Sequence, residues 1–458
     1  MASTYLTRAF SSGTITTKAT WSFWVKFSKI NQASGGASCM LFQARDANNS
    51  SNSRTYIRWG DGATLDFISY NSSGTIIAEY YTTRLLRDCN SWYHICYSVD
   101  TTLAAASDRV KLYINGVRET NFDTSNLTNP GVNQTIRTTS TVFTDISRNG
   151  GVNNNHLDGL LSYYIFTDGY TYQADTFGST DSTTGEWKIN TSPTVTYGTN
   201  GYFILKNGNS VTDQSGNSNN FTVGGGTLTN ALDNPSNVFC TMNAIATSSF
   251  GTLSNGNNTV TGNSAANNGN SFSTLCLPDA RGKYYFEVKF TTIISAEYPV
   301  VAICLTSDTD YGVVLDGGAG DPRNRVIGMD PRGYIYNYAS NSGIFPALSN
   351  GDIASFAFDM DNGAYYMSIN GGAYLTSGSP TSGASRTGAL ATWTPNSSND
   401  YGIWISPYNG SVCSTNFGNG YFGTSAVSSA GTSGSTPGTF EYDVPSGYEP
   451  LSTKGLNA

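Results

Sequence analysis

Charge is scarce in this chain. Asp, Glu, Lys and Arg make up 12% of its 458 residues, about half the ~25% of ordinary soluble domains. Solubility must come from the Asn, Ser, Thr and Gly that fill the segments between apolar runs. Clusters of positive charge are scarcer still. The net charge is −8, and the densest basic spots, "RLLRD" (84–88) and "PRNRV" (322–326), are small. Neutralising phosphates takes clustered Lys and Arg, so nucleic acid is excluded as a partner. No apolar run approaches the ~20 residues that cross a bilayer, and no membrane insertion is expected. The N-terminus "MASTYLTRAFSSGTITTKATW" lacks the charged-then-apolar pattern of a signal peptide. The chain is therefore expected to be soluble and not exported by the usual route.

Residues that do chemistry are also few. Two histidines, His94 and His156, cannot build a multi-histidine metal site, and neither GxSxG nor a Cys-His arrangement occurs. The glycines of "LDGGAGDPRN" (315–324) have no Lys-Ser/Thr and no helix after them, so they read as a loop and not a phosphate cradle. Seven cysteines (Cys39, Cys89, Cys96, Cys240, Cys276, Cys304 and Cys413) are scattered and never form CxxC. Several lie inside apolar strands, which predicts buried free thiols made in a reducing compartment.

Helical periodicity is nearly absent, and short alternating segments recur in its place: "TWSFWVKF" (20–27), "YHICYSV" (93–99), "VKLYI" (110–114), "KYYFEVKF" (283–290), "IASFAFDM" (353–360) and "AYYMSI" (364–369). In "VKLYI", Val110, Leu112 and Ile114 face one way while Lys111 and Tyr113 face the other, the pattern of a half-buried strand. Many such strands separated by Gly/Asn/Ser clusters predict an all-β protein of antiparallel sandwiches. One phrase is written twice: a strand ending in Asp, a short link, and a strand ending in Ile-Asn-Gly, at 93–116 and again at 353–371. Asn115-Gly116 and Asn370-Gly371 suit tight turns that need positive φ at both central positions. Each copy marks an equivalent place in two similarly built sandwiches.

A Gly/Asn-rich stretch (208–237) sets the boundary. Residues 1–232 are read as the first sandwich and 233–425 as the second. Residues 426–458 are read as a flexible linker and C-terminal segment, in which Tyr442, Val444, Tyr448 and Leu451 must pack on something.

The first unit resembles the laminin-G-like, concanavalin A-like jelly rolls, through "TWSFWVKF", "WYHICYSVD", "RVKLYINGV" and "LDGLLSYYIFTDG" (157–169) in that order. The second resembles the SPRY fold, through "GKYYFEVKF", "GDIASFAFDMDNGAYYMSINGG" and "STNFGNGYF". Five further phrases, "FGSTDSTTGEWKIN" (177–190), "YGTNGYFI" (197–204), "DQSGNSNNFT" (213–222), "DNPSNVFCTMN" (233–243) and "VPSGYEPLSTKGL" (444–456), are similar to those of virion proteins of tailed phages, especially phages of marine bacteria. The sandwich begins almost at Met1 with no recognisable tail-attachment segment. That departs from a classical tail fibre and favours a knob, head fibre or capsid decoration protein.

The resemblance implies a non-enzymatic protein on the virion surface, assembled in the cytoplasm of the host bacterium. Its partners would be other virion proteins of capsid or tail and, if it is an adhesin, host cell-surface polysaccharide. A homo-oligomer is expected, since repeated copies raise avidity. The alternative is a purely structural decoration or fibre-assembly protein with no glycan ligand. A polysaccharide depolymerase is the third reading, because both jelly-roll families include enzymes that cut polysaccharide. Such an enzyme needs two carboxylates flanking the scissile bond. None of the seven glutamates stands in the ExDxxE strand arrangement of sandwich glucanases, and alternation turns Glu287 away from Phe286 and Val288 toward solvent.

Calcium is the one cofactor the resemblance offers. Asp158 and Asp168 bracket "LDGLLSYYIFTDG", and Asp61 lies in "RWGDGA" (58–63); oxygen ligands on loops suit that cation. Sugar would stack on aromatic faces beside Asn-, Asp- and Gly-rich loops. The candidates are Trp59 in "RWGDGA", Tyr336 and Tyr338 in "GYIYNYASNSGIF" (333–345), Trp393 in "ATWTPNSSNDY" (391–401) and Tyr408 in "SPYNGS" (406–411). Aromatic, Asn-rich loops serve protein interfaces equally well.

Overall fold

The computed structural model describes residues 3–29, 38–46, 53–206, 208, 210–264, 267–294, 299–306, 326–337, 340–432 and 434–457, with backbone alone at 340–342. It is all-β, and its chain divides into two compact units, Met1–Asn230 and Ala231–Ala458.

Among the described residues, the first unit is a sandwich of a seven-stranded and a six-stranded sheet. The six-stranded sheet runs Val117–Glu119, Val110–Ile114, Tyr93–Asp100, Lys18–Phe27, Gly159–Asp168, Tyr202–Ile204. All its pairings are antiparallel. Alternation sends Trp21, Phe23, Val25 and Phe27 inward, where they meet Phe42, Ile57, Trp59 and Phe67 of the opposing sheet. Trp21 packs on Phe42 with centroids 5.2 Å apart.

The second unit repeats the plan. Its seven-stranded sheet runs from Met242–Thr247 to Ser340–Gly343. The opposing sheet is centred on Val412–Asn416, Lys283–Thr292, Ile353–Asp359 and Ala364–Ile369. Phe286, Phe356 and Phe358 stack between the two sheets.

Several central strands are buried on both faces, where simple alternation predicts one. Every residue of Ile353–Asp359 is buried, and Tyr113, on the face expected to meet solvent, is 7% exposed. A third layer covers the outer face of one sheet in each unit. In the first unit Ala174 and Phe177 lie over Cys96, Tyr113, Ile165 and Phe203, with Trp187 packed against them. In the second, Phe440, Val444 and Tyr448 lie over Tyr285, Ala357 and Tyr366. The segment 426–458, read as a flexible linker and a tail that must pack on something, packs on the second unit and belongs to it. Glu449–Pro450 pairs in parallel with Tyr284 and Tyr285, and Leu451 is fully buried in the core.

The doubled phrase has a physical cause. Asn115 and Gly116 have φ of 48° and 77°, and Asn370 and Gly371 have 51° and 69°. The Asn115 backbone N–H donates to the His94 carbonyl (2.9 Å), and its side-chain oxygen accepts from the His94 N–H (2.8 Å). Asn370 does the same to Ile353, at 2.8 and 2.9 Å. Each Asn therefore fastens its turn to the first residues of the preceding strand. Each turn glycine lies under a ring of the covering layer. A Cβ at Gly116 would come within 2.3 Å of Trp187, and one at Gly371 within 2.5 Å of Tyr442.

Candidate functional site

Most of the aromatic residues singled out from the sequence are interior. Trp59 is fully buried, stacked on Phe27 at 4.2 Å. Tyr336 is 2% exposed, and its hydroxyl donates to Asp330. Trp393 is 8% exposed and its indole N–H donates to Asp279 at 3.0 Å. These three cannot offer a ring face to sugar. Trp59 and Tyr336 belong to strands (Arg54–Trp59 and Tyr334–Asn337), where the loop reading had placed them in open turns. Tyr408 is half-buried and keeps part of its surface. Tyr338 lies outside the described residues.

The three aspartates do not fit a calcium ion. Asp158 and Asp168 sit at opposite ends of the extended strand Gly159–Asp168, about 30 Å apart at ~3.3 Å per residue. Asp168 accepts hydrogen bonds from the Thr14 hydroxyl and the Asn200 N–H, both at 3.1 Å. Asp61 is exposed in the short turn Asp61–Ala63. Among the described residues no three His, Cys, Asp or Glu converge to hold a metal. All seven cysteines are free, as expected.

What alternation concealed is a buried polar group beneath each covering layer. In the first unit His94 is fully buried, and the indole N–H of Trp187 donates to its Nδ1 at 3.1 Å. The neutral ring therefore carries its proton on Nε2 and donates to Ser22 Oγ at 2.9 Å. Burial pushes its pKa down to about 3.

In the second unit the group is Glu287, which is fully buried rather than solvated. Its carboxyl accepts from the Tyr285 hydroxyl at 3.0 Å and the Asn416 amide at 3.2 Å. The backbone N–H groups of Glu441 and Tyr442 donate to it at 2.9 Å each. Burial raises the carboxyl to about 7, against these four donors, which hold it down. Strand register sets Asn416, Glu287, Ser355 and Ser368 in one polar row across four strands.

That row leads to a cavity of about 520 Å³ between the Asn370-Gly371 turn and the C-terminal layer. Ser368, Gly371, Gly372 and Tyr374 line it from the turn, and Tyr442 and Asp443 from the C-terminal layer. Tyr374 and Tyr442 are half-buried, and neither hydroxyl is bonded to a described residue. Burial and then the Glu287 charge raise the Tyr374 phenol. Glu441 also lines the cavity, and its carboxylate accepts from the Ser428 N–H at 2.7 Å and from the Ser428 hydroxyl. Two partly open rings, hydroxyls, carboxylates and bare glycine backbone share one hollow, of a size that suits a small ligand. Sequence reasoning missed Tyr374 and Glu441. It met Tyr442 only as an apolar residue beyond a linker.

Residues 2–164 match the concanavalin A-like lectin/glucanases superfamily. No curated protein matches the chain. Solved structures similar to it include the SPRY domain of human HERC1, at 11% identity and TM-score 0.27, covering 38% of this chain and 96% of that one. A heptameric SAP-like pentraxin of Limulus polyphemus has 15% identity and TM-score 0.26, covering 37% and 71%. A Bacteroides ovatus protein provisionally named as carbohydrate binding has 14% identity and TM-score 0.30, covering 49% and 58%.

Proposed function

We propose that this chain is a non-enzymatic carbohydrate-binding protein displayed on the surface of a tailed-phage particle, where it attaches the particle to host-surface glycan. The observation that carries the binding half is the cavity at Tyr374 and Tyr442. Ring faces can stack on the C–H surface of a sugar there while hydroxyls, carboxylates and glycine backbone bond its oxygens. The match of residues 2–164 to a lectin and glucanase superfamily supports lectin-like character of the first unit, while the cavity lies in the second. The carboxylates of the cavity support binding without catalysis. Glu441 is held by Ser428, Asp443 by Thr432, and Glu287 lies behind the backbone it clamps. The virion setting rests on the likeness of five sequence phrases to phage particle proteins. In this reading the protein needs no cofactor, its partners are other virion proteins and copies of itself, and it is made in the host cytoplasm.

The test is retention of the purified protein, presented multivalently, on host cells and their extracted polysaccharide. Tyr442→Ala, which removes a cavity wall, should weaken retention by about two- to tenfold, since ring-stacking contacts are worth about 0.5–1.5 kcal/mol. Retention unchanged in that variant removes the cavity from the reading. No retention at all, from a protein still found on particles, leaves structural decoration. Shortened polysaccharide chains after incubation would make it a depolymerase.

A further inference from the structure

The charge around the cavity has one sign. Glu441 and Asp443 stand in its wall. Glu287 lies directly behind the backbone of residues 441 and 442, and Asp352 acts on the Tyr442 phenol from the neighbouring loop. None of the lining residues is Lys or Arg. Lys289, two residues from Glu287 on the strand Lys283–Thr292, is not part of the wall. Asp443 is exposed and takes both bonds from Thr432, at 2.7 and 3.0 Å, on a single oxygen. Its other oxygen is left toward incoming ligand or solvent.

We propose, resting on the saccharide reading above, that this cavity sorts its ligands by charge: amine-bearing sugars bind best, neutral sugars next, and acidic sugars are excluded. An ammonium group would meet two carboxylates and two tyrosine faces, each of which attracts a cation. A sugar carboxylate would meet the same two charges with no cation in the wall to answer it. Exclusion by unanswered like charge is an effective route to specificity. Two such charges at the edge of a half-open site change the affinity for a singly charged ligand by about tenfold or more.

The full-length protein is titrated with β-1,4-linked tetramers of glucosamine, N-acetylglucosamine and glucuronate, alone and after Asp443→Asn and Glu441→Gln. Asp443 is exposed, so Asp443→Asn leaves the fold intact even if Glu441→Gln loosens its Ser428 contact. The expected order is glucosamine, then N-acetylglucosamine, with glucuronate at least tenfold weaker than the neutral tetramer. Each substitution should narrow that spread. Glucuronate binding as tightly as the neutral tetramer overturns the charge selection and leaves the saccharide site standing. Failure of all three tetramers to bind overturns the site as well. Glucosamine binding that survives Tyr442→Ala but vanishes in salt would show attraction outside the cavity, and it too overturns the proposal.

Discussion

Glu287 and His94 occupy matching situations with opposite acid–base consequences. Glu287 binds its proton more tightly in the folded chain, its pKa rising from 4.5 to about 7. Protonation therefore favours the fold. The stabilisation is complete below pH 4.5 and is lost as pH rises through 7, to the order of 3 kcal/mol. His94 is held neutral, its pKa falling from 6.5 to about 3. Its stabilisation is complete above pH 6.5 and is lost as pH falls toward 3. Between pH 7 and 4.5 the second unit should gain stability from Glu287 while the first loses it through His94. Denaturation followed separately for the two units across this range checks the pair of signs. Glu287→Gln should flatten the response of the second unit, and His94→Gln that of the first. Parallel slopes in both units would contradict the assignment. His94 reads from its strand pattern as a hydrogen-bonded structural residue, but the burial of Glu287 was not legible. Alternation places both on the outer face, and the groups that cover Glu287 lie 154 and 155 positions away in sequence.

The Asn-Gly turns were legible, because positive φ at consecutive residues narrows the choice of side chains sharply. Their second task, fastening a neighbouring strand, was not, since it depends on which strand lies alongside. Asn115→Ala and Asn370→Ala each lose a side-chain acceptor and place alanine at positive φ. Each should cost about 1–3 kcal/mol, measured as a shift in the denaturation midpoint of its own unit. Asn→Gly at either place keeps the backbone geometry and should cost less. An equal loss with Gly and Ala would assign the whole effect to the hydrogen bond. The misplaced aromatics share one explanation. Trp59 closes a strand and is followed by Gly60, Asp61 and Gly62, and Tyr336 lies inside one between Gly333 and Asn337. Such flanks look like a loop to any short window. The legible hint of the candidate cavity was the set of apolar residues after the linker, whose packing partner is the outer face of the sheet containing Glu287.

At the scale of the molecule, two sandwiches followed from periodicity, whereas the layer that seals each of them did not. Covering segments are irregular, and nothing in a coil tells which surface it will meet. Ending the chain at Gly423 tests how much the second layer matters. It removes Phe440, Tyr448 and Leu451, all fully buried, and large side chains lost from such positions cost about 2–5 kcal/mol apiece. The truncated chain should retain the unfolding transition of Met1–Asn230 and lose that of Ala231–Ala458, in calorimetry or by tryptophan fluorescence. A second transition that persists near its original temperature would reduce the C-terminal layer to decoration.

The parallel pairing of Glu449–Pro450 with the strand that carries Glu287 also orders events during synthesis. The first sandwich has all its pieces before the ribosome reaches the second. The second must wait with its central strand exposed until residue 451 has emerged. Only chains translated that far complete the layer over that strand, so a prematurely terminated copy carries one intact module and one left unsealed.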